Sequence, residues 1–307
     1  MKDLKSTCRL ALVQCAPVMF DKKRGTDKVV TLIAEAAREK AELIVFPELV
    51  LPGYPYGMGF GFKTGCRDEK GRLDWQLYYE NSILVPGEET ARIGEAAANA
   101  HAYVSIGVSE RDAVTATLYN TNLVFGPDGA LLTVHRKLKP TGSERLVWGE
   151  ADRGFAPVTD TPWGPVGSLI CWESYMPLLR TALYQKGMTI CLAPNTNDYD
   201  SWLATVRHIA VEGRCFYVNA DLCFTRDMYP AGLQYPEEIA VLPDIVCRGG
   251  SCVVDPYGNY VIEPFWDQEG IRYADLDMGK VPASRMEFDP CGHYSRPDVL
   301  ELILRDQ

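Results

Sequence analysis

Apolar residues along this chain come in short bursts, and the spacing within the bursts alternates between two periods. Short stretches rich in apolar residues at 9–16, 41–46, 103–108, 118–125, 130–135, 166–170, 188–193, 216–220, 250–254, 260–262 and 271–276 read as strands. Residues 26–40, 88–101, 175–184 and 202–214 instead repeat their apolar positions every three to four residues, the mark of a helix with one buried face. Strand, helix and strand follow one another from the start, so the chain is α/β with layered sheets. Two stretches break the pattern. Residues 51–75 mix Gly and Pro with Tyr54, Tyr56, Phe60 and Phe62, and residues 221–246 carry Pro230, Gly232, Pro236 and Pro243. Long irregular segments of this kind serve as lids or interfaces. Turns at Asp128-Gly129 and Gly258-Asn259 mark two hairpins, and two strands end alike at Pro47 and Pro194. This echo suggests two similar halves, though unrelated hairpins would look the same. No linker or low-complexity segment divides residues 1–307, which read as a single domain.

Composition narrows the function classes. Of 307 residues, 47% are hydrophobic and 23% charged, which fits a globular protein with a large core. A net charge of −10 argues against a nucleic-acid partner, which would need basic patches. No apolar run approaches the roughly 18 residues of a membrane span. The N-terminal residues 1–5 lead into a strand rather than a signal peptide, so a cytoplasmic location with reduced cysteines is expected. The ten cysteines form no CxxC pair, and Cys247 and Cys252 have no second pair or nearby histidine, so neither metal nor cofactor is expected.

Three ionisable residues stand where strands end: Glu48, Lys137 (with Lys139 as its rival) and Cys171. Strand ends in α/β sheets converge on ligand crevices. Cys171 sits between an apolar run and a helical pattern, where a helix dipole would favour the thiolate. Taken alone it could equally be a packed cysteine, Glu48 a solvated loop acid, Lys137 a surface base, and Glu144 the ion-pair partner of Arg145. Together a carboxylate, an ammonium and a thiol support nucleophilic catalysis without histidine. The carboxylate takes the thiol proton, and the ammonium stabilises developing negative charge.

The segments around these residues resemble the nitrilase superfamily of carbon–nitrogen hydrolases, in particular its nitrilase branch. Phe46-Pro47-Glu48 is similar to the catalytic glutamate segment, and His135-Arg136-Lys137-Leu138-Lys139-Pro140-Thr141 with Trp148-Gly149-Glu150 to the lysine segment. Cys171-Trp172-Glu173-Ser174-Tyr175-Met176-Pro177-Leu178 is similar to the nucleophile segment, and residues 207–216 and 292–298 also match. Ser174 stands where many members carry Asn or His. The resemblance implies a four-layer α-β-β-α sandwich and selects Lys137 over Lys139. It implies Glu48 as general base, Cys171 as nucleophile, Glu144 as a supporting glutamate, and the Trp172 backbone N–H as an oxyanion donor. It further implies hydrolysis of a nitrile to a carboxylic acid and ammonia, and a homodimer or larger homo-oligomer, with helices 175–184 and 202–214 as candidate contacts. Tyr54, Trp148, Trp172, Asn195 and Thr196 are candidate pocket residues, and an aromatic lining would suit aryl or arylaliphatic nitriles. An amidase, a carbamoylase or a cyanide-hydrating enzyme would use the same residues. A catalytically silent binding or scaffold protein would be expected to lack one of them.

Overall fold

A computed structural model describes residues 4–66, 68–152 and 154–305; the first three residues of the N-terminal stretch read above lie outside them. The first half of the chain runs β1 (Thr7–Gln14), α1 (Lys22–Arg38), β2 (Leu43–Val45), α2 (Glu69–Asn81), β3 (Ile83–Leu84), α3 (Glu88–Ala100), β4 (Tyr103–Arg111), β5 (Leu118–Phe125) and β6 (Leu131–Arg136). The second runs β7 (Val158–Thr161), β8 (Gly164–Ser168), α4 (Pro177–Gln185), β9 (Ile190–Asn195), α5 (Asp200–Gly213), β10 (Phe216–Asp221), β11 (Cys223–Thr225), α6 (Pro236–Ala240), β12 (Ile245–Val254) and β13 (Tyr260–Trp266). Then β14 (Gly270–Asp277) returns to pair antiparallel with β1, and α7 (Lys280–Arg285) follows.

Two sheets result, ordered β14-β1-β2-β4-β5-β6 and β11-β12-β10-β9-β8-β7, with β3 beside β4 and β13 beside β12. Each half is built alike. Three parallel strands (β1, β2, β4; β8, β9, β10) are joined through helices and then continued by antiparallel strands. Strand alternation makes the layers. Leu10 and Leu12 of β1 enter the core between the sheets with Ile190, Leu192, Phe216 and Val218, whereas Ala11 and Val13 face a second core with Val29 and Ile33 of α1. In the other half, Cys191 and Tyr217 join a third core with Leu183, Val206 and Ile209 from α4 and α5. Three cores separate four layers, α-β-β-α. Each fully buried Leu, Ile or Phe contributes roughly 1.5–3 kcal/mol. Among the described residues no helix is long and apolar enough to cross a membrane.

Several boundaries differ from the sequence expectation for local reasons. The first helix starts at Lys22 rather than Thr26, because Asp21 caps it by accepting the Arg24 N–H at 2.9 Å. The stretch at 51–75 is not irregular throughout: α2 begins at Glu69. Its Gly71, which reads as a breaker, is where the helix meets the chain, and a Cβ there would lie 1.9 Å from the Phe60 carbonyl oxygen. The helical pattern expected from Tyr175 is divided into a 3₁₀ turn, Cys171–Tyr175, and α4, which starts at Pro177. The second irregular stretch holds β11, α6 and the start of β12, whose pattern is masked by positive-φ Gly249 and Gly250.

Candidate active site

The exits of β2, β6, β8 and β9 come together at one place. Glu48 lies in the turn after β2, pressed against β4 so closely that a Cβ on Gly107 would sit 2.6 Å from the Glu48 Cα. Lys137 follows β6 and donates its backbone N–H to Asn120 of β5 at 2.7 Å. Thr196 follows β9, the counterpart in the second half of the strand that delivers Glu48. All are enclosed: Glu48 is 0%, Lys137 1%, Cys171 5% and Glu144 7% exposed.

The charges form a closed set of hydrogen bonds. The Lys137 Nζ donates to Glu48 Oε1 at 2.9 Å and to Glu144 Oε2 at 2.9 Å and Oε1 at 3.2 Å. Glu48 Oε1 also accepts from the Asn120 amide at 2.7 Å, and Oε2 from the Thr196 hydroxyl at 3.1 Å. Glu144 is held from behind by the Tyr54 hydroxyl at 2.8 Å and the Thr141 N–H at 2.8 Å. A buried ammonium would ordinarily lose its proton; here the carboxylates, Glu48 first and then Glu144, outweigh burial and hold the Lys137 ammonium well above its usual range. Burial raises the Glu48 carboxyl above its ordinary 4.5, opposed by Lys137.

Cys171 differs from the sequence expectation. Its thiol does not gain a thiolate-favouring helix end, since it opens a 3₁₀ turn of five residues. Burial, and next the Glu48 carboxylate, push the thiol well above 9.0, against Lys137 and a hydrogen bond from the Thr196 backbone N–H. The resting group is a neutral thiol. Its backbone takes φ +51°, a left-handed conformation that side chains other than glycine rarely adopt.

The candidate pocket residues divide. Tyr54 and Trp148 line, with Glu144, Tyr56 and Met58, a cavity of about 480 Å³ beside the carboxylates. Thr196 touches Glu48 directly. Asn195 is buried and braces the Thr196 loop, its amide donating to the Asn197 carbonyl at 3.2 Å. The Trp172 indole is 45% exposed and packs edge-on against Tyr175, so its side chain points away from the cluster. Asn120 and Tyr54's bond to Glu144 escaped the sequence reading. The sequence holds no signal for Asn120 alone, since β5 also carries Thr121 and Asn122. Among the described residues no group of His, Cys, Asp and Glu is arranged to hold a metal ion.

Comparison with known proteins gives the same frame. The chain is 46% identical to an aliphatic nitrilase of Sinorhizobium fredii over 300 residues, 97% of this chain and 96% of that one. It is 42% identical to a bifunctional nitrilase/nitrile hydratase of Lupinus angustifolius, over 98% of this chain and 86% of the relative. Among solved structures, the C. elegans NitFhit protein superposes with a TM-score of 0.76 at 20% identity, covering 99% of this chain and 68% of that one. A carbon-nitrogen hydrolase from Helicobacter pylori gives 0.74 at 19% identity, covering 95% and 96%. With the family's pattern matched continuously over residues 9–286, from the second residue past the start of β1 to just beyond α7, the chain belongs to the carbon-nitrogen hydrolase family.

Proposed function

We propose that this protein is a nitrilase, hydrolysing an organic nitrile to a carboxylic acid and ammonia with Cys171 as nucleophile, Glu48 as general base and acid, and Lys137 as electrostatic stabiliser. The observation that carries the reading is the Lys137 side chain gripped by Glu48 and Glu144 at 2.9 Å each beside a buried thiol. The relatives named for nitrile hydrolysis support the substrate class.

The steps follow from the protonation states. Sγ bonds to the nitrile carbon as Glu48 takes the thiol proton and returns it to the nitrile nitrogen, giving a thioimidate. Water adds to that carbon as Glu48 passes one of its protons to the nitrogen, giving a tetrahedral species that carries a hydroxyl and an amino group. Glu48 then moves the hydroxyl proton to the amino nitrogen, the C–N bond breaks, ammonia leaves, and a thioester remains. A second water cleaves the C–S bond, releasing the acid and restoring the thiol. Lys137 and the Trp172 backbone N–H face the negative charge of each tetrahedral species. Expulsion of Cys171 in place of ammonia yields the amide instead. The buried carboxylates Glu48 and Glu144 about Lys137 govern which bond breaks by controlling nitrogen protonation. Glu144 holds Lys137, and Tyr54 and Trp148 shape the wall that accepts the organic group.

The same reading includes a homodimer or larger homo-oligomer through the outer side of α4 and α5, where Leu178 of α4, and Tyr175 and Met176 just before it, are exposed apolar side chains. It also treats the two halves as one catalytic domain acting in the cytoplasm. The deciding experiment supplies matched nitriles and amides side by side and measures ammonia, acid and amide. Cys171→Ala should abolish acid formation while the circular dichroism spectrum is retained. Turnover of nitrile by that variant at the wild-type rate would end this assignment, and faster release of ammonia from amides than from nitriles would move it to an amidase.

A further inference from the structure

A second buried charge cluster lies beside Lys137 and Cys171, and the proposed steps give it no task. Glu173 and His135 are both fully buried, with Glu173 Oε2 2.8 Å from His135 Nε2. Glu173 Oε2 also accepts the Ile170 N–H at 2.7 Å, and Oε1 accepts the Leu138 N–H at 2.7 Å. Burial alone would raise this carboxyl, but His135 and the backbone donors hold it below its usual range. An ionised carboxylate only accepts, so His135 Nε2 is the donor. The other ring nitrogen, Nδ1, is buried without a hydrogen-bond partner.

The identity of these donors gives the cluster its meaning. Leu138 directly follows Lys137. Ile170 directly precedes Cys171. His135 stands two residues before Lys137 on β6. One carboxylate therefore grips the backbone on the C-terminal side of the lysine and on the N-terminal side of the cysteine. It is also the third residue of the 3₁₀ turn that Cys171 opens at φ +51°. A non-glycine residue keeps such a backbone only where its surroundings impose it.

We propose that Glu173, backed by His135, is a positioning residue that fixes the Cys171 thiol relative to the Lys137 ammonium by binding the chain beside each of them. The inference rests on the reading of Cys171 and Lys137 as reacting and stabilising groups. A carboxylate is required because all three partners are donors. Glutamine of the same shape would turn an N–H against one of them, breaking the grip while leaving the packing volume unchanged.

The test compares Glu173→Gln and His135→Gln with the wild type. It reads kcat and KM on a nitrile, the circular dichroism spectrum, and the rate and stoichiometry of Cys171 alkylation by iodoacetamide, followed by mass. Glu173→Gln should lose about 100-fold in kcat, the scale of an ångström-sized misplacement. KM should stay within about two-fold of wild type. Alkylation should still reach one Cys171 per chain but at a changed rate. His135→Gln, which keeps an N–H donor, should lose about 10-fold in kcat. A folded variant of either kind with wild-type kcat overturns the proposal. So does a loss of kcat that merely follows the fraction of folded, titratable Cys171, as a structural role would give. If Glu173→Gln does not fold, His135→Gln decides by the same criteria. Cys171→Ala in parallel separates the two readings: its retained turnover would defeat the nitrilase assignment, whereas wild-type kcat in the Glu173 and His135 variants defeats only the positioning role.

Discussion

Replacing Lys137 by methionine tests the electrostatics of the site through stability, without any substrate. The side chain is buried, and among the described residues its ammonium is the only cation bonded to Glu48 and Glu144. Methionine has nearly the same length, so the packing persists and two facing carboxylates lose their counter-charge. Stranding a buried charge costs about 3–5 kcal/mol. The chain has an escape, which is to protonate one carboxyl, and Glu48 is already pushed above 4.5 by burial. Protonation costs about 1.4 kcal/mol for each pH unit above that ordinary value. At pH 7 the ceiling is therefore about 3.4 kcal/mol, and at pH 5 about 0.7 kcal/mol. The sign follows from linkage. A carboxyl with a raised folded-state pKa binds its proton more tightly when folded, so the penalty is absent below 4.5 and grows as pH rises toward the folded-state value. Urea unfolding of wild type and Lys137→Met at pH 5, 6, 7 and 8 measures the gap. It should widen with pH by up to about 1.4 kcal/mol per unit until it levels off. A gap that is absent at pH 8, or that is equal at pH 5 and pH 8, would refute the placement of Lys137 between two buried carboxylates.

Three further perturbations test other parts of the structure. Alkylation of Cys171 by iodoacetamide, followed by mass, should keep accelerating above pH 7, because burial and Glu48 hold the thiol well above 9.0; a plateau reached below pH 7 would mean a preformed thiolate. Asn120→Leu removes the 2.7 Å bond to Glu48, and nitrile turnover should fall by about 10-fold with a stability loss of about 1–2 kcal/mol in urea; an unchanged kcat would show that Asn120 does not orient Glu48. Gly71→Ala places a Cβ 1.9 Å from the Phe60 carbonyl oxygen and should cost about 1–3 kcal/mol, read by thermal unfolding; a wild-type midpoint would contradict the contact between α2 and the 51–66 segment.

What the sequence discloses and what it hides follow from the range of the interactions. β1, β9 and β10 are buried on both faces, so their apolar runs announce them, and the matching order of strands and helices makes the two halves visible. The placement of Glu48, Lys137 and Cys171 at strand exits is equally local. α2 is hidden because Gly71 answers to a distant carbonyl of Phe60 and not to helix propensity. Asn120 is hidden because its role depends on the β5–β6 register, which sets Asn122 opposite His135 and brings Lys137 over Asn120. The Cys171 thiol shows the limit most clearly. A helix-end argument sees one short-range field, whereas the protonation state sums complete burial, two carboxylates and one ammonium drawn from residues 48 to 171.

That sum also explains why a neutral resting thiol suits the proposed reaction. Lys137 brings one positive charge to a pocket that already holds two carboxylates, so a standing thiolate would leave two net negative charges out of water. Attack on a nitrile consumes a proton as well as a lone pair, because the nitrogen becomes an N–H. A thiol that surrenders its proton to Glu48 only as Sγ bonds to carbon supplies that proton where it is needed. Glu48, raised by burial, takes and holds that proton more readily than an ordinary carboxylate would. The symmetry of the fold serves this exchange. Equivalent strands of the two halves, β2 and β9, deliver Glu48 and Thr196 to a 3.1 Å contact. The Thr196 backbone N–H then reaches the thiol, so the Glu48 carboxylate and the Cys171 sulfur are both held by one residue.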